Sequence, residues 1–191
     1  SRIGAIRGFR EPLSLAVNSS RNRLYVGDAG DGSVTAVDPL GAVLFSLGKG
    51  RGEFGMPGDI AIASDGTVYV TDSANDIVKV YDPDGLFRYS FGGTGTGSGQ
   101  MRFPTGIAVD DVNQEVYVVD HSNGRVEVFD LSGVIKRSFS RFGGGDGRLT
   151  RPQGIWVSKG RVFVADAFQS SVSVFDGTGT FLGRIGQFGS D

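Results

Sequence analysis

The sequence predicts an all-β fold of the β-propeller class, and three observations support that prediction. Residues 101–143 divide into four short runs rich in Val, Ile, Tyr and Phe, each bounded by Asn, Asp, Ser or Gly, which is the pattern of strands joined by turns. In the third run, RVEVFD, Val126 and Val128 alternate with Glu127 and Phe129, and this period of two excludes a helix. The whole unit then recurs along the chain with a period of roughly 45 residues.

Fixed anchor positions define the repeat. An apolar residue stands three positions before a proline in every copy, at Pro12, Pro57, Pro104 and Pro152. Each second run closes on an aspartate, at Asp28, Asp72, Asp120 and Asp166. Each third run also closes on one, at Asp38, Asp82, Asp130 and Asp176. Because turns this short join antiparallel neighbours, each unit is predicted to be a four-stranded meander, and radial stacking of such sheets buries both of their faces.

These anchors divide one predicted domain, residues 1–191, into four blades. The predicted blades cover approximately residues 9–47, 54–91, 101–139 and 149–185. The N-terminal letters RIGAIRG are similar to GRIGQFG at the end of the fourth unit, so residues 2–7 are predicted to form an extra outer strand.

The repeat resembles the NHL-repeat family of β-propellers. The shared pattern is an apolar residue, Pro, Gly-Ile-Ala-Val-Asp, then Val-Tyr-Val-x-Asp-x-x-Asn and Val-x-Val-Phe-Asp, and residues 101–143 contain almost all of it. The family's turn asparagine is present as Asn75 and Asn123 and is absent from the first and fourth copies. The resemblance implies a ring that commonly has six blades. Four blades then leave three readings: a section of a larger ring, which we favour, a self-closing four-blade ring, or half of an oligomeric ring.

The direction of the strands sorts the loops onto two faces. The links between blades and the turns between second and third strands share one face, here called the upper face, and the remaining turns share the lower face. Long loops on one face of a rigid scaffold are where binding usually occurs. We therefore predict ligand contacts at Arg51, Asp59, Asp76, Arg102, His121, Arg148, Arg151, Gln153 and Phe168.

The residue types present give little support to a catalytic or metal-binding function. His121 is the single histidine, and the equivalent positions in the other blades are Ala29, Ser73 and Ala167, so no nucleophile, base and orienting group assemble around it. Some relatives of NHL propellers are lyases that hold zinc with histidines from several blades, and zinc needs about three protein ligands. Without cysteines, cysteine-bound zinc is also excluded. We predict no metal and no cofactor.

Other conspicuous residues have simpler structural interpretations. The repeated second-strand aspartates are interpreted as caps of nearby N–H groups rather than calcium ligands. Residues 92–99, GGTGTGSG, lead into an inner strand rather than a helix, which excludes a phosphate-binding loop. Trp156 stands where the other blades have Ala16, Ala61 and Ala108, and we interpret it as a core residue.

The charge and composition of the chain limit the classes of partner that it is expected to bind. The formal net charge is −2, so nucleic acid and anionic membranes gain no bulk electrostatic attraction, and the arginines of the upper face stand among carboxylates. No apolar run approaches the ~20 residues that span a bilayer, and the N-terminal residues lack the apolar core of a signal peptide. The cellular compartment stays open.

The leading functional prediction is therefore a non-catalytic NHL-repeat binding scaffold for a protein or peptide. One alternative is a section of an NHL-type lyase or hydrolase whose catalytic blades lie elsewhere. Another is a single-stranded RNA-binding domain. Self-association through the edges of an open ring is a further expectation.

Overall fold

The computed structural model describes residues 6–48 and 53–186, and within them it contains only β-strands and connecting loops. Blade 1 consists of β1 (Pro12–Asn18), β2 (Arg23–Asp28), β3 (Ser33–Val37) and β4 (Val43–Leu47). Blade 2 consists of β5 (Pro57–Ile62), β6 (Val68–Asp72), β7 (Ile77–Tyr81) and β8 (Phe87–Gly92). Blade 3 consists of β9 (Pro104–Asp110), β10 (Glu115–Asp120), β11 (Arg125–Asp130) and β12 (Ile135–Phe139). Blade 4 consists of β13 (Pro152–Ser158), β14 (Arg161–Asp166), β15 (Ser171–Asp176) and β16 (Phe181–Ile185).

Each blade is an antiparallel sheet whose strands follow one another in chain order. The first strands pack side by side, β1 against β5, β5 against β9 and β9 against β13, so they line the axis of the arrangement. This geometry confirms the predicted all-β propeller built of four-stranded blades.

Side-chain alternation in the strands places apolar residues between neighbouring blades. Val126 and Val128 belong to the core between blades 3 and 4, whereas Phe129 belongs to the core between blades 2 and 3. The ring of Phe129 packs against Phe91 of the preceding blade at 4.7 Å between centroids. Burial of such rings is the main source of stability at each interface, because each removes a large apolar area from water.

Glycine in the turn between third and fourth strands lets successive blades approach closely. Gly133 has φ +87°, and a Cβ atom added there would lie 2.6 Å from the ring of Phe91. Gly179 meets Phe139 in the same way, and Gly41 of blade 1 meets Ile6. Any other residue at Gly133 or Gly179 would both strain the backbone and displace an aromatic ring from the interface.

The aspartates that precede these turns have the structural role that the sequence predicts. Asp130 accepts hydrogen bonds from the backbone N–H groups of Ser132 and Val134, at 2.9 Å each. Asp38, Asp82 and Asp176 repeat this arrangement. The hydrogen bonds from Ser132 and Val134 lower the pKa of the Asp130 carboxyl.

The two end blades each keep one open face. Apolar cores join blade 1 to 2, blade 2 to 3 and blade 3 to 4, and the described residues form no such core between blade 4 and blade 1. Trp156 of blade 4 is 69% exposed and Leu15 of blade 1 is 65% exposed. The interpretation of Trp156 as a core residue is therefore wrong. Its repeat position faces the next blade, and here no blade lies against it.

Two further sequence predictions concern the chain's first residues and membranes. The predicted outer strand at residues 2–7 lies mostly outside the described residues; Ile6 and Arg7, which are described, are not in a strand. Within the described part of the chain, no helix has the length and apolar character needed to cross a bilayer.

Candidate functional site

The upper face is built around the four aspartates that close the second strands. Asp120 is fully buried and accepts the backbone N–H of Arg102 at 2.8 Å. Asp166 accepts the N–H groups of Thr150 and Arg151 at 2.6 and 3.1 Å. Asp28 and Asp72 bind the corresponding segments of blades 1 and 2. The aspartates thus fix the backbone that leads into each inner strand, in addition to the following turn for which the sequence predicted a capping role.

An amide side chain from the following turn completes this arrangement in three blades. Asn75 and Asn123 donate to Asp72 and Asp120 at 2.8 and 2.7 Å. Gln169 does the same for Asp166 at 3.1 Å, although the family asparagine is missing from blade 4. The longer amide therefore makes in blade 4 the contact that asparagine makes in blades 2 and 3.

A cavity of about 430 Å³ lies where the upper ends of all four inner strands meet. Its lining includes the apolar side chains of Leu13, Met56 and Phe103 and the polar side chains of Asp59, Ser73, Thr105 and Gln153. A second cavity of about 360 Å³ is lined by residues further along the same strands, among them Leu15, Ile60, Ile107 and Trp156. The axis of the arrangement therefore has a mixed upper mouth above an apolar channel.

The predicted contact residues divide into those at this mouth and those around it. Asp59 and Gln153 line the mouth. His121 lies beside it, with its ring 5.9 Å from that of the mouth residue Phe103. Arg151 and Phe168 form an exposed pair on blade 4, with the guanidinium 5.9 Å from the ring centre. Arg102 precedes Phe103 in the chain and is exposed, and Asp76 accepts the backbone N–H of Phe103 at 2.8 Å.

Two of the predicted contact residues are not placed at the mouth by the structure. Arg148 lies in the link between blades 3 and 4, where its carbonyl accepts a hydrogen bond from Gln169. Arg51 lies outside the described residues, so its predicted contact stays a prediction.

Asp59 has both carboxylate oxygens occupied by backbone groups. Oδ1 accepts the N–H of Ile60 at 2.9 Å, and Oδ2 accepts the N–H of Ile107 from the next blade at 3.1 Å. Burial raises the pKa of this carboxyl above its ordinary value. Asp59 therefore ties blade 2 to blade 3 at the mouth.

The hydroxyl and imidazole groups near the mouth are also hydrogen-bonded to backbone carbonyls. Ser73 Oγ donates to Pro104 O at 2.6 Å, and Thr105 Oγ1 donates to Gln153 O at 2.9 Å. His121 Nδ1 lies 2.8 Å from Pro152 O; because a carbonyl only accepts, this nitrogen carries the proton. Neither hydroxyl is paired with a base, and no three His, Cys, Asp or Glu side chains among the described residues are grouped so that they could hold a metal ion.

Sequence reasoning missed Phe103, an exposed aromatic residue of the mouth. It precedes the repeat proline, a position that varies among Glu11, Met56, Phe103 and Arg151, so the repeat gives no signal for it. The structure shows it with φ +53° and 40% exposed. A large aromatic residue in a left-handed conformation cannot be recognised from sequence, because other residue types normally occupy that region.

The four blades pack around a common axis, and the longer loops surround the channel mouth on the upper face, which is the arrangement of a β-propeller. Within that class the chain belongs to the SMP-30/gluconolactonase/LRE-like family, whose model matches residues 3–187. Its NHL-repeat resemblance is confirmed by two relatives. RING finger protein nhl-1 of Caenorhabditis elegans is 37% identical over 98 residues, 51% of this chain and 10% of that protein. Protein brain tumor of Drosophila melanogaster is 29% identical over 63 residues, 33% of this chain and 6% of that protein.

The matched segments make up a tenth or less of the length of either relative. Among solved structures, hydrazine synthase of Kuenenia stuttgartiensis is similar with a TM-score of 0.72 and 18% identity. That likeness covers 94% of this chain and 50% of the other chain, and at this identity it shows the shared fold alone.

Proposed function

We propose that this protein is a non-catalytic NHL-repeat binding scaffold that takes a protein or peptide segment at the upper mouth of its channel. The observation that carries the proposal is the 430 Å³ cavity, whose lining comes from all four blades. It combines apolar walls with a few convergent polar groups, which is the usual composition of a binding pocket. Its rigid frame of buried aspartates is suited to presenting a fixed surface.

The same geometry argues against chemistry at the mouth. The family description names a gluconolactonase, and hydrolysis of a lactone needs a nucleophile or an activated water beside a general base. Among the described residues, the carboxylate, hydroxyl and imidazole groups nearest the mouth all make hydrogen bonds to backbone groups instead. An enzyme section with its catalytic blades elsewhere is the alternative that the experiments below distinguish.

A variant with a bulky side chain at the mouth tests the proposal directly. A Cβ atom on Gly154, which lines the mouth, would meet no other atom within 4 Å, so Gly154→Leu adds an apolar side chain there without a clash at Cβ. We expect peptides selected from a random 12-residue phage library against the wild-type protein to lose binding to this variant. Gly183→Leu, in the outer strand of blade 4, adds the same side chain at a position where a Cβ atom also meets nothing within 4 Å, and should retain binding.

Two results would overturn the proposal. One is a selection that yields no peptide dependent on the upper face. The other is hydrolysis of glucono-δ-lactone by the purified protein that disappears in His121→Ala.

We also infer that the open faces of blades 1 and 4 are covered by a second copy of the chain at high concentration. Leu15 and Val17 of blade 1 are exposed at positions that are packed in the other blades, and so are Trp156 and Ile185 of blade 4. Contiguous apolar surface of this kind drives association. The test of this inference is the last prediction of the Discussion.

A further inference from the structure

The upper turn of blade 2 contains an aspartate in a conformation that favours glycine. In every blade one residue of the turn between second and third strands has a left-handed backbone: Gly32, Asp76, Gly124 and Ser170, with φ between 46° and 65°. Glycine adopts this conformation without steric cost, whereas aspartate does so less readily. The Asp76 side chain gives a physical reason for aspartate rather than glycine at this position. Its Oδ1 accepts the backbone N–H of Phe103, in the next blade, at 2.8 Å.

Phe103 is itself strained, and Asp76 holds it there. Its φ of +53° is unusual for a bulky residue, and the equivalent residues Glu11, Met56 and Arg151 do not share it. The ring lines the mouth and meets His121 edge to face. Strained residues fixed by surrounding structure concentrate at ligand clamps and active sites. One hydrogen bond thus couples two strained residues and presents an aromatic ring at the mouth.

The surroundings of Phe103 on blades 3 and 4 are cationic. Arg102 and Arg151 are exposed and form no ion pair with the described residues. Asp120 and Asp166 beneath them are buried and accept N–H groups. Two carboxylates of blade 2 also lie near Phe103, but Asp59 accepts two backbone N–H groups and Asp76 accepts that of Phe103. On blades 3 and 4, Asp146 is exposed in the link next to Gly145, whose carbonyl binds Arg184. The strip from Phe103 to Phe168 therefore presents two guanidinium groups that form no ion pair with the described residues: that of Arg102, and that of Arg151 over the Phe168 ring.

Within the binding function proposed above, on which this step rests, we propose that this strip recognises an acidic peptide segment. The strip consists of Arg102, Phe103, His121, Arg151 and Phe168. Guanidinium groups bind carboxylates through two parallel hydrogen bonds, which makes Arg102 and Arg151 the groups that select acidic side chains. An apolar side chain of the same peptide packs against Phe103 in the mouth, and Asp76 is the positioning residue for Phe103.

Peptide selection tests the ligand class. Binders from a random 12-residue library, selected against the wild-type protein, should be enriched in Asp and Glu around at least one apolar residue. Arg102→Ala and Arg151→Ala should each weaken their binding by about tenfold, while Arg88→Ala, an exposed arginine of the outer strand of blade 2, should leave it unchanged. Binding should also weaken as salt rises.

The failures are distinguishable. Upper-face binders that are neutral or basic would overturn the acidic-peptide proposal and leave the binding scaffold intact. A library that yields no upper-face binder would overturn both. Tighter binding of a 12-nucleotide oligouridine than of the selected peptides, lost in Arg102→Ala, would replace the peptide with RNA.

Substitutions at Asp76 separate positioning from structure. Asp76→Gly removes the carboxylate and relieves the backbone strain, so Tm should stay equal or rise while affinity for the selected acidic peptides falls about tenfold. Asp76→Asn keeps an acceptor oxygen and tolerates the left-handed backbone, so it should bind as the wild type does. Unchanged affinity in Asp76→Gly, or equal losses in both variants, would overturn the role of Asp76.

Discussion

Blades 3 and 4 are copies of one repeat, yet blade 3 is packed on both sides and blade 4 on one. Val126 of blade 3 is fully buried, whereas the equivalent Val172 of blade 4 is only half-buried. Ala108 is buried and the equivalent Trp156 is exposed. The comparison teaches that the repeat sets which way a side chain points, while a neighbouring blade decides whether that side chain is buried.

The two blades also differ in the charges beneath the upper face. In blade 3 the buried Asp120 and Glu127 share Arg125, which lies 2.9 Å from Asp120 and 2.8 Å from Glu127. Arg125 also donates to the carbonyls of Thr96, Gly97 and Gln100, so it holds the glycine-rich link between blades 2 and 3. In blade 4, Ser171 and Ser173 occupy the positions of Arg125 and Glu127.

The largest expected effect comes from a charge placed at the same repeat position in both blades. Val126→Asp buries a carboxylate between blades 3 and 4, and we expect it to lower the free energy of unfolding by about 4 kcal/mol or more. Val172→Asp places the charge on the open face, where water reaches it, and should cost under about 1 kcal/mol. Urea denaturation of dilute protein measures both. Equal losses would mean that the far face of blade 4 is covered, contrary to the open arrangement.

Removing the shared cation of blade 3 should be the next largest effect. Arg125→Ala leaves two buried carboxylates without a counter-ion and releases the link, at a cost of about 3 kcal/mol. Ser171→Ala, at the same position of blade 4, removes a hydroxyl with no hydrogen-bond partner among the described residues and should cost under about 1 kcal/mol. Hydrogen exchange of residues 96–100 should accelerate in Arg125→Ala alone. Slow exchange there in the variant would contradict the role assigned to Arg125.

The fold could be predicted well because the strand alternation and the turn residues that determine it recur in all four copies of the repeat. Alternation assigned Val126, Val128 and Phe129 to their correct sides, and turn aspartates such as Asp130 have the predicted hydrogen bonds. These features depend on local spacing, which a sequence shows.

The site was harder to predict because it depends on departures from the repeat. One side-chain hydrogen bond joins Phe103 to Asp76, 27 residues away. Asp76 was among the predicted contacts, but nothing in the repeat marks Phe103 or the pairing of the two residues. Trp156 was misplaced for a related reason. Its position faces the next blade, and a sequence does not show whether that blade is present.

The pH dependence of stability sharpens the comparison of buried charges. Burial raises the pKa of Glu127 to about 7, although Arg125 lowers it and Asp120 raises it further. A raised carboxyl pKa favours the protonated folded state, so stability should fall as pH rises from about 4.5 to about 7, by up to about 1.4 kcal/mol per pH unit. Glu127→Gln should lack this slope. Parallel pH profiles of Tm for the two proteins would contradict the assignment to Glu127.

The smallest expected effect on folding, and the most informative about the open faces, concerns Trp156. Because its side chain is exposed in the single chain, Trp156→Ala should change the free energy of unfolding of dilute protein by less than about 0.5 kcal/mol. The same substitution should weaken self-association about tenfold, since large aromatic side chains contribute most to such contacts. Light scattering at increasing concentration should show the mass rising above 20.1 kDa for the wild type at lower concentrations than for the variant.

As the sole tryptophan, Trp156 reports the contact directly, because its emission should shift to shorter wavelength as the protein associates. Val112→Ala, which shortens an exposed apolar side chain on the lower face of blade 3, should leave association unchanged. A strictly monomeric particle at every concentration, with tryptophan emission typical of a buried ring, would instead mean that blades 4 and 1 close on each other in solution.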